Sequence, residues 1–237
     1  MKTKYTAILF DVGGTLIYAN PSIGDIYAKE AQKFGINING SDAYKSFMKA
    51  WDEVRNFWNQ PLYYGSNECD AKNFWYRVVY ECFISYTSDQ VIDSIFNNLF
   101  NHFAKAKSWN VYSDVYKILS YLKEKGYILG IVSNWDYRLS NILDGLYLTP
   151  YFNSIIISYA VGVEKPNSGI FKIALDRIKQ EANNVLYIGN SYNEDYIPSQ
   201  NIGIDCLLLK RDTPSNNKDK TNCISSLDEV IKFLEFH

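Results

Sequence analysis

The stretch that most constrains this chain is a run of four apolar residues, Ala7-Ile8-Leu9-Phe10, that ends abruptly in Asp11-Val12-Gly13-Gly14-Thr15-Leu16. An apolar run without alternation reads as a strand buried on both faces, as in a parallel sheet covered on each side. It delivers a carboxylate to a loop tip, where the two glycines let backbone come close to a ligand. Asp11 is therefore the candidate nucleophile. A plainer reading, an aspartate capping a turn in which glycines break a strand, accounts for most stretches of this kind. The rest of the chain has to decide between them.

After Trp109 the pattern alternates. A helix with Val115, Ile118, Leu119 and Leu122 stops at Gly126, and Ile128-Leu129-Gly130-Ile131-Val132 reads as a buried strand ending at Ser133-Asn134. A short helix around Leu139 to Leu143, a strand at Ile155 to Ile157, a helix through Ile170, Phe171 and Ala174, a strand at Val185 to Ile188 and a last long strand at Ile204 to Leu209 follow. This α/β rhythm predicts a Rossmann-like, doubly wound parallel sheet. Between Ser22 and Phe103, apart from the stretch Asn56 to Asn67, the apolar residues recur at helical spacing and predict four helices, starting after Ser22, Ser41, Asp70 and Ser88, that form an inserted helical domain. The domain reading is therefore a core of residues 1–17 and 106–237 with a helical cap over 18–105. The stretch Asn56 to Asn67 is aromatic and turn-rich, and the residues Arg211 to Asn222 form a polar loop.

Length and composition narrow the function classes. With 237 residues and 47% hydrophobic content the chain can bury a full core, and a net charge of -2 with scattered lysines offers no footprint for nucleic acid. No stretch reaches the length of a membrane span, and the apolar run behind the basic start is too short for a signal segment. Four dispersed cysteines without a CxxC pair, and two isolated histidines (His102 and His237), disfavour zinc and a disulfide framework and point to reducing cytoplasm. A small-molecule substrate is the remaining partner; the oligomeric state is open.

In open parallel sheets ligands gather outside the carboxyl ends of strands. Four such ends carry polar residues here: Asp11 with Thr15, Ser133 with Asn134, Glu164-Lys165-Pro166, and Gly189-Asn190-Ser191 with Asp195. A carboxylate to attack, a lysine to offset charge, a hydroxyl and amides to hold oxygens, and further oxygens for a hard cation make a set suited to phosphoryl transfer. Taken singly, each has a structural explanation as a cap or a solvated charge.

Four segments in order, FDVGGTL, IVSNWDYRL, VGVEKPNSGIF and YIGNSYNED, which with their connecting helices cover residues 5 to 210, resemble the haloacid dehalogenase superfamily of hydrolases. The helical block resembles that family's C1-type cap. The resemblance implies that Asp11 attacks phosphorus and carries an aspartyl-phosphate, that Thr15 steadies the loop, that Ser133 holds phosphoryl oxygens, and that Lys165 offsets charge. It further implies substrate contacts at Gly13, Gly14, Asn134 and Ser191, and magnesium on Asp11, the Gly13 carbonyl, Asn190 and Asp195.

Two positions depart from the family's pattern. Its phosphatases carry a general acid two residues after the nucleophile, where this chain has Gly13, and Asn190 stands for the first aspartate of the last motif, which weakens a hard-cation site. The leading expectation is a phosphatase-type hydrolase restricted to activated leaving groups, with Glu164, a cap tyrosine or ordered water covering part of the acid/base role. The alternatives are metal-free hydrolysis of a 2-haloacid and a catalytically impaired protein that binds a phosphometabolite.

Overall fold

A computed structural model describes residues 4–57, 67–211 and 222–236. The aromatic stretch at 58–66, the polar loop at 212–221 and His237 lie outside the described residues. The chain divides into two compact units, one of residues 1–18, 111–135 and 147–237, the other of residues 19–110 and 136–146.

In chain order the elements are β1 (Ala7–Phe10), β2 (Ile17–Ala19), α1 (Ile23–Gln32), α2 (Gly40–Phe57), α3 (Glu68–Phe83), α4 (Asp89–Phe103), β3 (Trp109–Val111), α5 (Val115–Glu124), β4 (Ile128–Ser133) and α6 (Arg138–Gly145). They continue as β5 (Ser154–Ile157), α7 (Ser158–Val161), α8 (Gly169–Ile178), β6 (Val185–Gly189), α9 (Ile197–Gln200), β7 (Asp205–Leu209), β8 (Cys223–Ile224) and α10 (Asp228–Phe236).

The first unit is built on a six-stranded sheet in the order β5-β4-β1-β6-β7-β8, and every pairing in it is parallel. The apolar runs are buried on both faces, as the absence of alternation predicts: β1 is buried at all four positions and β6 at all five. One side of the sheet packs Leu9, Val132, Ile156 and Tyr187 against Ile170, Phe171 and Ala174 of α8. The chain winds outward from β1 in both directions, to β4 and β5 one way and to β6, β7 and β8 the other, so the switch point lies at the carboxyl end of β1. Residue pairs Phe10–Ile131 and Phe10–Ile188 bring the ends of β4 and β6 level with it.

The second unit holds α1 to α4 around an aromatic core that includes Tyr27, Phe47, Phe74, Phe83, Phe96 and Phe100. Ser22 caps α1 as the sequence suggests, its Oγ accepting from Asp25 N at 3.1 Å. The next two helices begin earlier than read: Asn39 Oδ1 accepts from Asp42 N, and Asn67 Oδ1 accepts from Asp70 N, so Ser41 and Asp70 are first-turn residues rather than caps. The unit also takes in α6, which the sequence reading assigned to the core. Its anchor is ionic. Asp136, 0% exposed, accepts from Arg138 Nε at 2.9 Å and Nη2 at 2.6 Å and from Trp75 Nε1 at 2.8 Å, while Arg138 Nη1 donates to the Phe100 carbonyl at 3.1 Å.

Candidate active site

Asp11 is one residue past β1, yet its N–H still donates to the Ile188 carbonyl at 2.9 Å, so the sheet fixes its backbone. The chain then turns sharply. The Val12 carbonyl accepts from the N–H groups of Thr15, Leu16 and Ile17, and Gly14 takes φ +74°, a conformation that favours glycine. Asp11 ends up 6% exposed.

Three other strand ends converge on it. Ser133, the last residue of β4, donates from Oγ to Asp11 Oδ1 at 3.1 Å. Lys165, on the loop between α7 and α8, donates from Nζ to Asp11 Oδ1 at 2.7 Å and to Asp195 Oδ1 at 2.6 Å. Asp195, in the turn after β6, also accepts from Tyr187 OH at 2.9 Å and from Ser191 N at 2.8 Å. The arrangement is two carboxylates sharing one ammonium out of water. Burial pushes Asp11 up to about 6, against the pull of Lys165. Burial alone would lower Lys165, but Asp11 and Asp195 outweigh it and hold the ammonium above its ordinary value.

The remaining expected residues divide. Asn134, read as a substrate contact, spends its amide elsewhere: Nδ2 donates to the Lys165 carbonyl at 2.8 Å and Oδ1 accepts from Lys165 N at 2.7 Å. Ser191, also read as a substrate contact, caps the turn that follows, its Oγ accepting from Glu194 N at 3.2 Å. Both side chains hold loops. Gly14 is pressed against Asn190, since a Cβ built on it would stand 2.4 Å from Nδ2. Thr15 is fully buried and its Oγ1 has no hydrogen-bond partner in the structure, while its carbonyl takes Arg211 Nη2 at 2.6 Å. A buried hydroxyl without a partner is costly unless something else pairs with it.

Two residues at this end of the sheet escaped the sequence reading. Tyr187 is buried in β6, where Lys165 Nζ donates to its hydroxyl at 3.2 Å. Its hydroxyl is the one polar group in the run Val-Leu-Tyr-Ile, and that was the available signal. Trp135, within the segment IVSNWDYRL, lies against Gly13.

Asp195, a magnesium ligand by the resemblance, has both its oxygens engaged by Lys165 Nζ, Tyr187 OH and Ser191 N. Among the described residues no group of three or more His, Cys, Asp and Glu side chains forms a metal cluster. With Asp195 so engaged, the expected set for a hard cation comes down to one carboxylate, Asp11, and two neutral groups, the Gly13 carbonyl and the Asn190 amide. So sparse a set fits magnesium in its usual mode, held through one or two carboxylates and sharing its shell with water and a substrate phosphate.

No helix among the described residues is long and apolar enough to cross a membrane. Haloacid dehalogenase-like hydrolase domain-containing protein 3 of Danio rerio is 31% identical over 240 residues, covering 99% of this chain and 98% of its own. Among solved structures, a HAD phosphatase from Thermococcus onnurineus superposes with TM-score 0.64 at 24% identity, covering 99% of this chain and 98% of its own. The HAD-hydrolase YfnB from Bacillus subtilis, bound to magnesium, does so with TM-score 0.69 at 20% identity, covering 97% and 98%. A family model described as haloacid dehalogenase-like hydrolase matches residues 5–203, and with the carboxylate, hydroxyl and lysine assembled at its strand ends, the chain belongs to that family.

Proposed function

We propose that this hydrolase acts on a small phosphorylated molecule through an aspartyl-phosphate on Asp11. The observation that carries the reading is the contact of Lys165 Nζ and Ser133 Oγ with one oxygen of Asp11, at 2.7 and 3.1 Å. An ionised carboxylate held by two donors in a buried site keeps its orientation toward an incoming phosphorus. Lys165 then offsets the charge that gathers on nucleophile and phosphoryl group, and Asp195 with Tyr187 keeps the ammonium in place. The Thr15 hydroxyl, without a partner, is a candidate to settle against the loop when substrate is bound. Magnesium, when bound, would be held by Asp11, the Gly13 carbonyl and the Asn190 amide oxygen, and would supply positive charge for the phosphoryl oxygens.

The test is release of inorganic phosphate from acetyl phosphate and p-nitrophenyl phosphate, with magnesium present. Asp11→Asn should abolish it; unchanged turnover in that variant would refute the mechanism.

A second reading is displacement of halide from a 2-haloacid, which needs neither leaving-group protonation nor metal. It is favoured by Gly13, since no side chain there can donate a proton. Chloride release from 2-chloropropionate without metal, scanned over pH, distinguishes the two. Uptake of phosphate without consumption of any ester would instead mark a binding protein.

A further inference from the structure

Trp135 is held at its backbone more firmly than a loop residue needs to be. Its N–H donates to Ser158 Oγ at 3.1 Å, and its carbonyl accepts from that same hydroxyl at 3.2 Å and from Tyr159 N at 3.3 Å. Ser158, the first residue of α7, is 1% exposed. The six-membered ring of the indole lies on Gly13, where an added Cβ would stand 3.1 Å from Cζ3 and 3.9 Å from Cη2. Gly13 is not among the glycines with positive φ, so its backbone would accept a side chain. What a side chain there would meet is the indole, at a contact tight enough that the ring would have to give way, and positions 13 and 135 form a complementary pair: a ring where a side chain would otherwise project, two residues along the chain from the nucleophile.

We infer that Trp135 takes the place of a proton donor beside Asp11, offers the leaving group a flat apolar surface, and so selects aryl phosphates over alkyl phosphates. The inference rests on the phosphatase reading. In the first step Asp11 forms a bond to phosphorus, and the bond from phosphorus to the leaving oxygen breaks with its electron pair. That oxygen departs as an aryloxide, which needs no proton from the enzyme and is protonated by solvent. Water then attacks the aspartyl-phosphate, its oxygen stays on phosphorus and both its hydrogens leave with it as dihydrogen phosphate, and Asp11 is returned as a carboxylate. An alkoxide leaving group would require the acid that Gly13 does not supply, a group typically worth about 10² to 10⁴ in rate. A planar leaving group gains instead from stacking on the indole, worth about tenfold in affinity by the usual energy of an aromatic pair.

The experiment compares p-nitrophenyl phosphate with glycerol phosphate in the full chain and in Trp135→Leu, Gly13→Asp and Gly13→Asp/Trp135→Ala. Trp135→Leu should lower kcat/KM for the aryl ester about tenfold and change the alkyl ester little. Gly13→Asp alone should gain less on glycerol phosphate than the double variant, because the indole crowds the new side chain, whereas the double variant should gain about 10². Calorimetry on Asp11→Asn with and without Trp135→Leu adds a reading independent of turnover: p-nitrophenyl phosphate should weaken about tenfold and inorganic phosphate should not. Equal losses on both esters, equal weakening of both ligands, or a gain from Gly13→Asp alone as large as from the double variant would overturn the inference while leaving the phosphatase reading intact. If the wild-type chain releases no phosphate, or Asp11→Asn still does, the phosphatase reading falls and takes this inference with it.

Discussion

Arg138→Met tests whether the helical unit depends on the ion pair that anchors α6. Asp136 is 0% exposed and accepts four hydrogen bonds, three of them from Arg138: from its N–H at 3.0 Å, Nε at 2.9 Å and Nη2 at 2.6 Å. The guanidinium also lies 3.9 Å from the Phe100 ring centroid. Methionine keeps most of the volume but removes the charge, leaving Asp136 a buried carboxylate with Trp75 Nε1 and one backbone N–H. Two unit charges about 4 Å apart at an effective dielectric of about 20 attract by about 4 kcal/mol. Breaking a buried pair from one side typically costs about 3 to 5 kcal/mol, because the survivor is left uncompensated. In a chain of this length each kcal/mol lowers the melting temperature by about 2 to 4 °C, so the loss should be roughly 6 to 20 °C. Urea unfolding followed by circular dichroism measures it directly. Asp136→Asn/Arg138→Met should lose less than the sum of the single variants, since the second change removes the charge stranded by the first. A cost below about 1 kcal/mol for Arg138→Met, or strict additivity in the cycle, would show that the pair does not anchor the helix.

Three other outcomes follow from the site. Asn190→Asp adds a charged oxygen without changing shape, and should lower the magnesium concentration for half-maximal phosphate release by about tenfold or more; an unchanged requirement would remove Asn190 from the metal's surroundings. The acid limb of kcat/KM should fall near pH 6 rather than near 4, because burial raises Asp11 to about 6 and only its ionised form attacks. The same shift has a signed effect on stability. Ionising Asp11 costs the folded state, so wild type should lose ground to Asp11→Asn as pH rises from about 4 to 6, by no more than about 3 kcal/mol. A difference between the two that does not move over that window would refute the assignment.

The parts of the molecule legible in the sequence are those fixed by periodicity. Unbroken apolar runs marked β1, β4 and β6, and their parallel order follows from burial on both faces. Helix starts were readable only to within a few residues. In Asn39-Gly40-Ser41-Asp42 several residues in a row can cap, and which one does depends on where tertiary packing sets the first turn. The two-residue strand Cys223–Ile224 has no periodic signal at all and exists through its pairing with β7. At the site, the sequence identified which groups reach the strand ends but not what each one touches. Asp11, Ser133, Lys165 and Asp195 do converge, whereas the partners of Asn134 and Ser191 are backbone groups that no spacing rule reveals.

The double hydrogen bond between the Asn134 amide and the Lys165 backbone has a consequence for how chains of this kind are compared. It works as a side-chain rung, stitching two loops together where the strands have run out. Aspartate could not donate to the carbonyl, and glutamine would overreach by one methylene, so asparagine is demanded by the loop itself. A descendant that had abandoned chemistry altogether would still gain stability from this residue, through two hydrogen bonds worth about 1 kcal/mol each. Asn134 therefore reports an intact loop, and the residues at 13, 135 and 190 are the better witnesses to whether, and on what, such a chain still turns over.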